Sequence, residues 1–201
     1  GLDAFRYFLL REMVFGLASN FNEAALVGRI NADLANDLGN LVSRTLAMAE
    51  RYLQGRISRP GALEAKDLEL QTSALRLAQE AEKLFGELSF HKFLIATWEL
   101  INLANRYVDG MAPWVLAKDP AKAERLHTVL YQLLEVLRFV AVLISPFMPQ
   151  AAEKIQGQLG IADPGSQTLA SLKEWGGLAL GGQVRKGEAL FPRIEDNLKG
   201  E

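Results

Sequence analysis

Three groups of residues carry side chains capable of selective chemistry. The first is Asn31-Ala-Asp-Leu-Ala-Asn-Asp-Leu-Gly-Asn-Leu-Val-Ser-Arg44, deep inside a long helical stretch. Asn40 and Arg44 are one turn apart and share a face, and Arg51, seven residues on, falls near the same line. The second is Asn102-Leu-Ala-Asn105-Arg-Tyr107, again amides within a helix. The third is Pro113-Trp114, in the turn after that helix, where a preceding proline can present the indole as a flat platform. Asn is a mediocre helix former and a mid-helix Gly such as Gly39 costs about 1 kcal/mol relative to Ala. Such residues in mid-helix point to close packing or to a polar surface with a task.

An amide, a guanidinium and a presented aromatic ring are the groups that read an unstacked RNA base. The base is splayed out, stacked on the ring and hydrogen-bonded along its Watson–Crick edge. Stacking tolerates any base, whereas a buried donor left unpaired penalises the wrong one. The same residue types allow a plainer arrangement, in which Trp114 packs on the helices and the Asn side chains satisfy one another between them. Other chemistries find no support. There is no GxxxxGK[ST] phosphate loop, serine elbow or HExxH pattern, and the glycine pairs near the C-terminus do not precede a helix. Carboxylates such as Glu80 and Glu82 do not face each other on a helix. No cysteine is present, and His91 and His127 stand alone on separate helical stretches, so neither a thiolate nor a histidine metal site is expected.

The elements that must position these residues are long helices. Asp3 to Met13 has Phe5, Phe8 and Leu9 at helical spacing, and Gly16 to Ser19 breaks it. Asn20-Phe-Asn-Glu23 has the form of an amide cap followed by Glu. A helix is expected from about Asn22 to Leu53, striped by Leu26, Ile30, Leu34, Leu38, Leu41 and Leu46 and stopped at Gly55. Further helices are expected over about 62–85, 90–108, 120–144 and 150–159, the third of these opening on Pro120 and ending before Pro146 and Pro149. From Asp163 to Gly187 the glycine-rich texture predicts an extended or hairpin-like tail. Short breaks between long helices favour antiparallel neighbours, hence an all-α, up-down bundle with a trailing appendage.

With 201 residues, 49% hydrophobic and 23% charged, the chain has the composition of an ordinary soluble domain with a real core. No stretch reads as a membrane span, the N-terminus does not read as a signal peptide, and a cytoplasmic location is expected. The net charge of -2 means that an RNA partner must meet a local patch rather than a basic surface.

Order and wording add a resemblance. Asp3-Ala-Phe-Arg-Tyr-Phe-Leu-Leu-Arg-Glu12, the Asn31–Arg44 segment, Pro113-Trp114-Val-Leu-Ala-Lys118 and Leu190-Phe-Pro-Arg-Ile194 together resemble the C-terminal half of the methionyl-tRNA synthetases, class I aminoacyl-tRNA synthetases. The resemblance covers essentially the whole chain. It implies a helical anticodon-binding bundle over 21–160, a linking helix and loop over 1–20, and a tail over 161–201 that returns towards a catalytic domain. Residue by residue, it implies that Asn40 and Arg44 recognise the first anticodon base, a cytosine. Trp114, with Pro113 before it, would stack an anticodon base, and Arg51 would lie near the RNA. Asn36, Asn102 and Asn105 would be buried bracing between helices. The implied partners are the CAU anticodon loop of methionine tRNA and the protein's own catalytic domain, with no DNA or membrane.

The family's HIGH and KMSKS segments and zinc-bearing insert are absent from these residues. The resemblance therefore implies a chain starting just after the KMSKS loop, with no catalytic residue, metal or cofactor, and ATP with Mg bound in the catalytic domain. It also implies that no further dimerising or tRNA-binding domain follows the tail, that Gly16-Leu-Ala-Ser19 is less polar than its usual counterpart, and that Phe5 and Tyr7 pack on the catalytic domain. Two other readings share these residues: the corresponding domain of another class I synthetase, such as the cysteinyl or leucyl enzymes, or a helical protein-interaction bundle. The Asn-Leu-x-Ser-Arg and Pro-Trp segments favour the methionyl family over the first.

Overall fold

The computed structural model describes residues 1–13 and 21–195. The expected break at Gly16–Ser19, its polarity and the proposed cap at Asn20 lie outside them. In chain order the helices are α1 (Leu2–Glu12), α2 (Glu23–Arg29), a π-helical segment (Ile30–Gly39), α3 (Asn40–Leu53), α4 (Ala65–Gly86), α5 (Phe90–Met111), α6 (Pro113–Leu116), α7 (Ala123–Ile144) and α8 (Pro149–Gln158). The expected all-α bundle is what forms.

The helix foreseen over 22–53 runs unbroken from Glu23 to Leu53, but its middle third is wound wider than an α-helix. Asn22 caps its start, its Oδ1 accepting from the Ala25 N–H at 3.2 Å. At the far end of the wide segment the Asn40 N–H donates to the Ala35 carbonyl, five residues back. Gly39 suits that winding, because a Cβ there would stand 3.0 Å from the Leu34 carbonyl oxygen. The freed polar groups of this segment are taken up by neighbours. Trp98 Nε1 donates to the Asp33 carbonyl at 3.2 Å, and Asn105 Nδ2 to the Asp37 carbonyl at 3.2 Å. Asn105 is thus bracing between helices, as the resemblance implied.

At the centre stands α7, buried at every residue from Thr128 to Ile144. It packs against α3, α4, α5 and α8. Contrary to expectation, the stretch Pro120–Ile144 is long and apolar enough to cross a membrane, yet 94% of its most apolar window is buried inside the fold. It is the core helix of the bundle. At one end of α5 a cluster of Phe85, Phe90, Phe93 and Phe147 closes the core, with Phe85 and Phe93 centroids 4.9 Å apart.

Helix α1 packs on α5 and α8. The Asp3 carboxylate accepts from the Ala151 N–H at 2.8 Å, in the first turn of α8 where unpaired N–H groups favour an anion. Tyr7 is fully buried, its ring 4.3 Å from that of Trp98 and its hydroxyl donating to Asp33 Oδ2 at 2.6 Å. The expectation that Tyr7 faces another domain is therefore wrong: it belongs to this core. Phe5 does remain 42% exposed, beside Phe21.

The tail is extended apart from short 3-10 turns at Pro164–Ser166 and Leu169–Leu172. Several of its hydrogen bonds run to the bundle. Gly181, Gly182 and Val184 exchange backbone bonds with Gly55 and Ile57 at 2.8–2.9 Å, and the Arg185 N–H donates to the Gln158 carbonyl at 2.8 Å. The end of the tail is gripped by the wide helical segment: Asn31 donates to the Ile194 carbonyl at 2.9 Å and accepts from its N–H at 2.8 Å. Asn36 Oδ1 accepts from Arg193 at 3.2 Å. Asn36 is exposed, so its implied role as buried interhelical bracing is corrected: it holds the tail.

Gly160 is where this docking is tightest. Its φ is +70°, and a Cβ would meet the Gln183 carbonyl oxygen at 2.2 Å. Gly160→Ala is expected to lose at least roughly 1–2 kcal/mol from the left-handed backbone alone, with tail displacement in addition. Urea unfolding and limited proteolysis over 180–190 check this; an unchanged midpoint and cleavage rate would rule out the close crossing.

Candidate nucleic-acid interface

The face of α3 that follows the wide segment looks across to the second half of α5. Between them lies a cleft of about 290 Å³, walled by Asn40 and Arg44 on one side and by Asn102, Arg106 and Asp109 on the other. Asn36 and Asp37 close its end. The side chains face one another because Asn105, from within the α5 wall, ties that helix to the Asp37 carbonyl just before α3 begins.

Arg44 is the hub. Its Nη2 lies 2.6 Å from Asp109 Oδ1, a pairing of partly exposed groups. Its guanidinium carbon sits 5.8 Å from the centroid of the Trp114 ring. Trp114 reaches this position by a sharp turn. Ala112 ends α5 in the left-handed region at φ 44°, and buried Pro113 then opens the single turn of α6. The indole is left 38% exposed. Proline therefore acts with a strained alanine, not alone, in presenting the ring.

Of the residues selected from sequence, Asn40 and Arg44 line the cleft, Trp114 adjoins it through Arg44, and Pro113 is buried behind the indole's turn. Arg51 is exposed two turns further along α3, its guanidinium 5.5 Å from the Tyr52 ring, and does not line the cleft. Asn102 is half-buried in the cleft wall, so its implied bracing role gives way to a place at the site. Three cleft residues escaped sequence reasoning. Asp37 and Arg106 lay inside the quoted segments but were passed over, although Arg106 follows Asn102 by one helical turn. Asp109 is 65 residues from Arg44, and no local spacing could pair them.

Both signs of charge meet in the cleft, Arg44 and Arg106 against Asp37 and Asp109. The Asp37 carboxyl is held above the usual range, first by burial and then by the negative charge of Asp33, with a smaller opposing effect from the Asn36 amide. Among the described residues no group of three or more His, Asp or Glu side chains could hold a metal ion.

Comparison with known proteins identifies the family and the fold. Residues 1–46 match a family described as class I tRNA synthetases (M), and residues 57–201 match the anticodon binding domain of methionyl tRNA ligase. A methionine–tRNA ligase of Caldanaerobacter subterraneus subsp. tengcongensis is 50% identical over 195 residues, covering 97% of this chain and 30% of the relative. That of Bacillus subtilis is 47% identical over 201 residues, covering 97% and 29%. The solved structure of ligand-free Mycobacterium tuberculosis methionyl-tRNA synthetase superposes with a TM-score of 0.90 at 38% identity, covering 96% of this chain and 39% of that one. The same enzyme bound by methionyl-adenylate gives 0.90 as well. A helical bundle of this kind, adjoining a match to class I synthetases, is an anticodon-binding module. The chain belongs to the methionyl-tRNA ligase family, as its anticodon-binding domain. It spans about 30% of the length of the curated relatives it matches.

Proposed function

We propose that the cleft reads the first base of the CAU anticodon of methionine tRNA, for a protein that joins methionine to that tRNA at the expense of ATP. The observation that carries this reading is that Arg44 lines one cleft with Asn40 while its guanidinium lies beside the exposed Trp114 ring. A flipped-out anticodon base stacks on Trp114. A cytosine offers acceptors at N3 and O2 and a donor at its exocyclic amine. The Arg44 guanidinium donates to the acceptors, and the Asn40 amide oxygen accepts from the amine. Uracil reverses the pattern, leaving donor opposed to donor at N3 and acceptor opposed to acceptor at position 4. Arg51 continues the same face of α3 and meets the neighbouring nucleotides.

ATP with Mg and methionine belong to the catalytic domain of such a protein. Residues 1–20 link to that domain, 21–160 form the anticodon-binding bundle, and the 161–201 tail returns towards the domain. The setting is the cytoplasm, with neither membrane nor DNA as a partner.

Titration of the 201-residue chain with a CAU stem-loop and with a UAU stem-loop tests the reading. The wild type is expected to prefer the first. Trp114→Ala should weaken both, by the roughly 1–3 kcal/mol that base stacking contributes. Arg44→Ala should erase the preference. Equal binding of the two loops by the wild type, or retention of selectivity by Arg44→Ala, would overturn the assignment.

A further inference from the structure

Arg44 cannot serve both the base and the backbone of the RNA, and the cleft holds a second cation whose charge is not committed. Arg106 stands on the α5 wall, one turn after Asn102, with its side chain exposed. It also borders the two grooves between α4 and α5, one bounded by Ser73 and Glu99 and one by Lys66 and Tyr107. It therefore sits on the rim where the cleft opens outward. Asp109, three residues on, is taken by Arg44 at 2.6 Å, and Glu69 and Glu99 border the same grooves as Arg106 without pairing with it. Among the described residues, no ion pair engages Arg106.

Charge balance makes this position matter. With Asp37 and Asp109 set against Arg44 alone, the cleft would be net negative and would repel a phosphodiester chain. Arg106 brings the balance to neutral on the side facing solvent. A nucleotide whose base enters between Asn40 and Arg44 keeps its sugar-phosphate on that outer side, within the sweep of an unpaired arginine. We propose that Arg106 is the phosphate contact of this cleft, neutralising one phosphodiester next to the flipped base and taking no part in reading the base. The proposal rests on the anticodon reading given above.

Phosphate contacts and base contacts differ in what they do to binding. A phosphate contact weakens all sequences alike when removed and lowers the salt dependence, by about 0.7 per phosphate for single strands. The experiment measures binding of the CAU and UAU stem-loops across a salt series for wild type, Arg106→Gln, Arg106→Lys and Arg44→Ala. Thermal unfolding shows that each variant is folded, which an exposed substitution favours.

Arg106→Gln is expected to bind both loops more weakly by the same factor, with the slope of log affinity against log salt shallower by about 0.7. Arg106→Lys keeps the charge and should keep the wild-type slope. Wild-type affinity and slope in Arg106→Gln would overturn the proposal. A collapse of the cytosine preference in Arg106→Gln would overturn it too, by making Arg106 a base reader. Lack of cytosine preference in the wild type, with the Arg106→Gln slope still reduced, would overturn only the base reading and leave the phosphate contact standing. Failure of the wild type to bind either loop at low salt would overturn both.

Discussion

Arg138→Met is expected to cost about 3–5 kcal/mol of stability, the typical loss when one partner of a buried ion pair is removed. Glu135 and Arg138 lie in the middle of the core helix, 0% and 1% exposed at their side chains, with Arg138 Nε 2.6 Å from Glu135 Oε2. Neither charge is satisfied by the other alone. The Leu178 N–H donates to Glu135 Oε1 at 2.8 Å, and Arg138 donates to the Ser171 carbonyl at 3.1 Å and the Glu174 carbonyl at 3.4 Å. Removing the guanidinium strands a carboxylate in the core and deprives two tail carbonyls of their donor. The tail over 171–178 should then detach and become sensitive to protease while most helices persist.

Adding Glu135→Leu to Arg138→Met should recover much of the loss, because an apolar pair of similar volume replaces a charge that has no partner. Urea unfolding of the two variants checks both statements. An Arg138→Met midpoint close to wild type, or a double variant no better than the single, would show that the pair does not anchor the tail.

The second large effect is expected at Asp67. It is fully buried, and its carboxylate receives Arg125 at 2.6 and 3.0 Å and the Glu64 backbone N–H at 2.7 Å. The Tyr107 hydroxyl donates to it as well. One side chain thus ties the start of α4 to α5 and α7. Asp67→Asn should lose roughly 3 kcal/mol or more, since it breaks a buried pair and turns donors towards donors.

Burial pushes the Asp67 carboxyl up, but the Arg125 hydrogen bonds, then those from the Glu64 backbone and Tyr107, outweigh it and hold the group below the usual carboxylate value. A folded-state pKa below the unfolded one means stability that is fully present above about pH 4, the ordinary aspartate value. It is lost as pH falls through the lower, folded-state value. The gap between wild type and Asp67→Asn in urea should therefore be wide at pH 7 and close on acidification below about pH 4. A gap that stays constant to pH 2 would mean that the charge of Asp67 is not what holds the three helices. Because α5 also carries Asn102, Arg106 and Asp109, the variant should loosen the cleft between α3 and α5 without touching it.

Much of this was legible in the chain. Helix positions followed from apolar stripes such as Leu34, Leu38 and Leu41 and from breakers such as Pro146 and Pro149, because core burial and proline geometry act locally. Asn40, Arg44 and Trp114 stood out because amides, guanidinium and a proline-led indole are out of place in a plain bundle. The wide winding of Ile30–Gly39 was not legible. The leucine spacing there fits an ordinary helix, and the groups that stabilise the wider one, Trp98 and Asn105, come from far along the chain. Distance in sequence also concealed the pairing of Arg44 with Asp109. Tyr7 was expected to pack on a catalytic domain, because nothing close to it in sequence shows that Trp98 and Asp33 enclose it. Glu135 and Arg138 gave no warning of their role, since two charges in a long helix ordinarily mark a solvated face.

The same buried pair sets an order of events during synthesis. Arg138 leaves the ribosome well before the residues that complete its surroundings: Leu178, which satisfies Glu135, follows it by 40 positions. At roughly 5–20 residues per second, that interval lasts on the order of seconds. For that time the nascent bundle carries two charges in its central helix with half their partners still unmade. The helices can gather, but the core closes only when the tail arrives, so translation itself delays the final step of folding until the tail has been made.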